Sequence, residues 1–145
     1  MPKKVEVMMP EIRNESCRAC PYRRDVPSGV WAASEYDKLA EYDAPTGEQP
    51  YAAFYCHATP EAICHGWVVV SKKNDHAHDL LGLRILASMG KFDYGEIDLV
   101  EERTPLFDFG TEACEHGKRD IENPSEEALE VVARLGRKYD RLRYS

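Results

Sequence analysis

The sequence predicts an α+β protein: one small, mostly helical domain spanning residues 1–145, with a short sheet, clamped by a metal site of four cysteines. Three observations carry this expectation. Helical periodicity recurs in segments separated by proline- and glycine-rich turns, short β-prone runs lie between them, and Cys17, Cys20, Cys56 and Cys64 offer four soft ligands. A length of 145 residues falls within the size of one domain. With 43% hydrophobic and 31% charged residues, the composition is that of a folded globular chain.

The lead-in, residues 1–16, carries a candidate strand at Val5–Met9. Cys17–Gly29 contains Pro21, Pro27 and Gly29 and reads as an ordered loop. From Ala32 to Tyr42, Tyr36, Leu39 and Tyr42 keep helical spacing, and Ser34 with Asp37 is arranged as a capping box. Pro45, Gly47 and Pro50 mark a turn over residues 43–50, after which the aromatic run Tyr51–Cys56 reads as a strand. Thr59 and Pro60 resemble an N-cap followed by a first-turn proline, which puts Cys64 in the first turns of a helix. A further helix is expected over Asp75–Met89, with Leu80, Leu83 and Leu86 on its apolar face and Gly90 as its stop.

Residues 91–123 are irregular in pattern, with a strand expected at Glu96–Glu101 and loop signals at Pro105, Gly110 and Gly117. Asn123, Pro124, Ser125 and Glu126 open a last helix to about Arg143, in which Leu129, Val132, Leu135, Tyr139 and Leu142 face inward. The organisation that follows is a metal-binding half, residues 17–67, and a helical half, residues 68–145.

A net charge of −7 argues against a phosphate backbone as primary partner. No apolar run of signal-peptide length follows Met1, and the longest apolar stretch, Trp67–Val70, is far short of the roughly 20 residues of a membrane span. The expected compartment is the cytoplasm, where thiols stay reduced, so five cysteines point to metal binding or catalysis rather than disulfides.

Cys17 and Cys20 are spaced so that two thiolates of one tight turn can reach a tetrahedral ion, and Cys56 and Cys64 supply two more. A thiol redox pair and inert buried cysteines are the competing readings of the same residues. His57 is a candidate alternative ligand, a hydrogen-bond donor to a ligand sulfur, or a packing residue. His76 and His78, two apart on a helix, point away from each other and read as a solvated helix start rather than a second metal site. Arg23 and Arg24 are candidate partner-binding cations, with internal charge compensation as the alternative; Trp31 and Trp67 read as core around the site.

The run from Cys17 to Trp31 (CRACPYRRDVPSGVW), then Tyr42, Asp43, Thr46, Gln49 and Pro50, then Phe54–His57 (FYCH) and Cys64–Trp67 (CHGW), resembles a family of small uncharacterised cysteine-rich proteins from actinobacteria and their phages. The resemblance covers the first half of the chain and implies the same four ligands, leaving out Cys114 and His65. It implies no activity.

Zinc is favoured over an iron–sulfur cluster because ferredoxin-type sites need a denser run of cysteines. Structural zinc binding releases on the order of 10 kcal/mol, enough to close the 35-residue gap between Cys20 and Cys56, whose entropy cost grows only logarithmically. No P-loop, dinucleotide fingerprint, nucleophile elbow or deaminase signature is present, which leans against an enzyme. The expected function is therefore a non-enzymatic, zinc-stabilised interaction protein, phage-encoded and acting on a host protein. The alternatives are an iron–sulfur redox or sensing protein and, less favoured, an enzyme whose pocket uses Arg23, Arg24 and Asp25.

Overall fold

In the computed structural model, which describes residues 9–136, all extended regular structure is helical. The helices are α1 (Ala33–Glu41), α2 (His65–Lys73), α3 (Leu81–Ser88), α4 (Gly95–Leu99), α5 (Gly110–Lys118) and α6 (Glu126–Leu135). No helix among the described residues is long and apolar enough to cross a membrane. One hydrophobic core runs from Ile12 to Val132. The expected strand at Val5–Met9 lies outside the described residues but for Met9, as does the last helix beyond Gly136.

The α+β expectation is corrected: the described residues contain no sheet, only three isolated bridges, Ile12 with Ile63, Tyr55 with Ile63, and Arg23 with Leu106. Tyr51–Cys56 does not alternate as a half-buried strand must. Tyr51 is 79% exposed, whereas the consecutive residues Ala53 and Phe54 are both buried. The expected strand at Glu96–Glu101 is instead α4, started where the Asp93 carboxylate accepts the Gly95 N–H at 2.8 Å. Ile97 and Val100 are buried three residues apart while Leu99 lies exposed, which is a helical and not a strand period.

Two helix starts also move. Thr59 accepts the Ala62 N–H to close a turn, and α2 begins only at His65, with Cys64 as its extended N-cap. Asp75 adopts a left-handed φ of 54°, which ends the preceding segment, and a 3-10 turn at Ala77–Asp79 precedes α3. The Gln49 side chain then accepts the Leu81 N–H at 3.0 Å, so the turn over residues 43–50 caps α3 from outside. Gly90, at φ 71°, ends that helix as its position implies. Ser125 caps α6 by accepting the Ala128 N–H at 3.1 Å.

The segment expected to be irregular holds α5, which runs antiparallel to α1. The Asp43 carboxylate, just past α1, accepts the N–H groups of Gly110 and Thr111 at 3.1 and 2.6 Å, and Lys118 pairs with Asp37 at 2.7 Å near the other end. A Cβ at Gly117 would enter the Tyr36 ring. The glycine therefore permits helix contact, and the Tyr36 hydroxyl beneath it accepts from Val30 N and Trp31 N, both at 3.1 Å. In this way α1 and α5 fix the end of the loop that carries Cys17 and Cys20.

Candidate functional site: a cluster of buried cysteines

Two consecutive turns shape the first cysteine segment: Cys20 N donates to Cys17 O and Arg23 N to Cys20 O, each at 3.0 Å. Trp31 Nε1 ties the turn down by donating to Ala19 O at 2.7 Å. The other two cysteines flank Ile63, which is fully buried. Around it Cys56 N donates to Ala62 O, Cys64 N to Phe54 O and Ile63 N to Glu11 O, each at 2.8 Å, while Arg13 N donates to Ile63 O at 3.0 Å. Three segments distant in sequence are thus laced together. In α2, a Cβ at Gly66 would stand 2.8 Å from Tyr22 Cβ and 3.0 Å from Cys20 Sγ, so the absent side chain lets the helix start close on the first turn.

All four thiols are buried. The Cys17 thiol lies close enough to those of Cys20 and Cys56, and Cys20 to that of Cys64, for each to perturb the other's ionisation. Contact with Cys20, opposed by that with Cys56 and reinforced by burial, pushes the Cys17 thiol up to about 12. Contact with Cys17 lowers Cys20, but Cys64 and burial outweigh it and raise that thiol well above its ordinary value. Cys56 is raised by Cys17 and then by burial. A shift in this direction favours the protonated thiol, the poorer nucleophile.

Other contacts favour negative charge on sulfur. Arg13 Nη1 lies 3.6 Å from Cys56 Sγ and Thr59 N donates to the same sulfur at 3.4 Å; backbone N–H groups of Ala58 and Tyr22 act on Cys56 and Cys20.

The donor set fits a thiophilic ion in chemistry and burial, and excludes calcium and magnesium. Its spacing does not amount to a formed centre: among the described residues no group of three or more His, Cys, Asp or Glu is placed to hold a metal ion. The expected metal clamp is accordingly no part of the observed architecture. Among the described residues, four buried polar atoms, Ser16 Oγ, His57 Nδ1, His65 Nε2 and Trp67 Nε1, have no hydrogen-bond partner. Three belong to residues next in sequence to Cys17, Cys56 and Cys64, so unmet polar capacity gathers at the cysteine segments.

His57 is 2% exposed; its Nε2 lies 2.9 Å from Glu35 Oε1, and its ring packs on Trp31 at 4.4 Å between centroids. Burial raises Glu35, but hydrogen bonds with His57 and Lys38 outweigh it and hold the carboxyl at about 2. An ionised carboxylate accepts the Nε2 hydrogen, and Nδ1 is the ring atom left without a partner among the described residues. Arg23 is spanned by Asp25 in a bidentate pair at 2.8 and 2.6 Å and donates to Cys17 O at 3.3 Å. Arg24 donates to Leu106 O at 2.9 Å, pairs with Asp108 at 3.2 Å and Glu112 at 3.4 Å, and covers the Phe107 ring. Both cations are committed within the chain.

His76 meets Gln49, and the exposed His78 approaches Asp98 at 3.8 Å, so the two imidazoles serve different partners. Trp31 and Trp67 are each 1% exposed. Cys114 lies on α5, its thiol raised chiefly by burial. Sequence reasoning missed Arg13 and Glu35. The first stands in an unpatterned lead-in, and the second occupies a first helical turn where an acidic residue is ordinary.

No curated protein and no solved structure matches the chain. A family model matches residues 12–136, from the bridge partner of Ile63 to the glycine that follows α6. The chain therefore belongs to the family of unknown function DUF6283.

Proposed function

We propose that this protein binds one zinc ion through Cys17, Cys20, Cys56 and Cys64 and acts by binding another protein rather than by catalysis. The observation that carries the reading is that four buried thiols on three separate segments perturb one another's ionisation, with guanidinium and amide hydrogens aimed at Cys56. Binding replaces thiol protons by the ion, which makes the exchange pH-dependent. With four protein ligands, zinc bound in this way would leave no coordination position for water, which is why the reading is one of binding rather than catalysis. In the setting that the motif resemblance implies, the chain is phage-encoded and its partner is a host protein.

Anaerobic purification followed by metal analysis tests the reading. The expected result is one zinc per chain in a colourless protein that unfolds when a strong chelator is added. Cys17→Ser, Cys20→Ser, Cys56→Ser and Cys64→Ser should each lose metal and melting temperature, and Cys114→Ser neither. Stoichiometric zinc in Cys64→Ser would overturn the ligand set, and a brown preparation with iron and labile sulfide would replace zinc by a cluster on the same cysteines.

A further inference from the structure

Cys17 also lines a cavity of about 430 Å³ whose wall carries three arginines, Arg13, Arg18 and Arg134. In a chain with 26 acidic and 19 basic residues, an arginine readily finds a carboxylate, as Arg23, Arg24 and Arg84 do. None of the three cavity arginines has a carboxylate within ion-pair distance among the described residues. Arg13 donates to Thr59 Oγ1 at 3.0 Å and lies near Cys56 Sγ, which leaves further guanidinium hydrogens unused. Arg18 is held outward by the turn between Cys17 and Cys20, and Arg134 is exposed on α6. On that helix Val131, Arg134 and Leu135 fall at i, i+3 and i+4 and share the face that meets the cavity. Trp31 completes the apolar side.

We propose that this cavity binds a small organic phosphate. Arg18 and Arg134 hold the phosphate with Arg13 in support, and Trp31, Val131 and Leu135 contact the apolar body. The volume is that of small-molecule sites. Guanidinium forks match phosphate oxygens in pairs, and several cations match a group that carries nearly two negative charges, where a carboxylate carries one. The apolar wall separates such a ligand from inorganic phosphate, and the net charge of −7 sets the rest of the surface against a nucleic-acid backbone. This inference does not depend on the identity of the metal.

Calorimetric titration of the full chain as purified, at low salt, tests it with phenyl phosphate as the probe. Phenyl phosphate should bind at least tenfold tighter than inorganic phosphate or benzoate, and more weakly as salt is added. Arg18→Gln with Arg134→Gln should weaken it at least tenfold at unchanged melting temperature, since neither side chain has an ion-pair or hydrogen-bond partner among the described residues. Each single variant should show part of that loss, which keeps the result readable should the pair of changes disturb folding. The proposal is overturned by no binding at millimolar probe, by undiminished binding in the folded double variant, by equal affinity for inorganic phosphate or benzoate, or by a single-stranded oligonucleotide that binds more tightly.

Discussion

Gly117→Ala adds one methyl group where α5 crosses α1, inside the ring of Tyr36. Alanine is the better helix former by about 1 kcal/mol, so propensity alone would stabilise the variant. Against that stands forced overpacking, about 1–3 kcal/mol in a dense core, because Tyr36 is only 2% exposed and has nowhere to turn. A displaced ring also loosens the two hydrogen bonds that its hydroxyl accepts from Val30 and Trp31, worth together about 2 kcal/mol. The costs sum to about 3–5 kcal/mol, and subtracting the propensity gain leaves a net loss of about 2–4 kcal/mol. At about 3 °C per kcal/mol for a chain of this size, the melting temperature should fall by roughly 6–12 °C. Gly47→Ala is the control, since a Cβ there meets nothing within 4 Å and should cost no stability. Thermal and urea unfolding of the two variants beside the parent protein measure the difference. A Gly117→Ala protein as stable as the parent would refute the claim that this glycine permits the helix contact.

The depressed Glu35 carboxyl makes stability acid-sensitive. Its folded value of about 2 lies below the ordinary 4.5, so its contribution is complete above pH 4.5 and is lost as pH falls from there toward 2. The ceiling is about 3 kcal/mol, lowered by the solvent exposure of Lys38. Urea unfolding between pH 7 and pH 2 should show a smaller acid loss for Glu35→Gln than for the parent; parallel losses would contradict the assignment. Replacing Arg23 and Arg24 together by alanine removes the bonds to Asp25, Cys17 O and Leu106 O. The double variant should melt a few degrees lower, and an unchanged melting curve would show these contacts to be energetically idle.

Where local chemistry decided the structure, the sequence was readable. The Tyr36, Leu39 and Tyr42 spacing gave α1, the Ser125 side chain opened α6, and Gly90 closed α3 with a positive φ. The four cysteines of the candidate site are all buried, and among the described residues no group of three or more His, Cys, Asp or Glu is placed to hold a metal ion. Tertiary contact overrode local preference elsewhere. Gly110 and Gly117 resembled loop residues because glycine in a turn and glycine at a helix crossing look alike until the opposing Leu39 and Tyr36 are known. The β-prone letters of Glu96–Glu101 concealed a three-residue spacing of Ile97 and Val100. Thr59 and Pro60 held a helix-start signature, yet the amides of Ile63 and Cys64 were claimed by Glu11 and Phe54, and no local pattern announces partners so distant.

The crossed bonds about Ile63 have a consequence for how this chain can vary in length. Cys56 N to Ala62 O and Cys64 N to Phe54 O pair the two cysteine segments in a fixed register. Lengthening or shortening the 57–62 connection by one residue would break that register or slip it, and a slip by one turns a side chain to the opposite face. One sulfur would then leave the cluster, and the hold of Ile63 on Glu11 and Arg13 would shift with it. The turn over residues 43–50, on the path from Cys20 to Cys56, is held instead through side chains, by Asp43 on Gly110 and Thr111, Thr46 on Asp79 and Gln49 on Leu81, while a Cβ at Gly47 meets nothing within 4 Å. A change of length should therefore be tolerated better beside Gly47 than within the 57–62 connection.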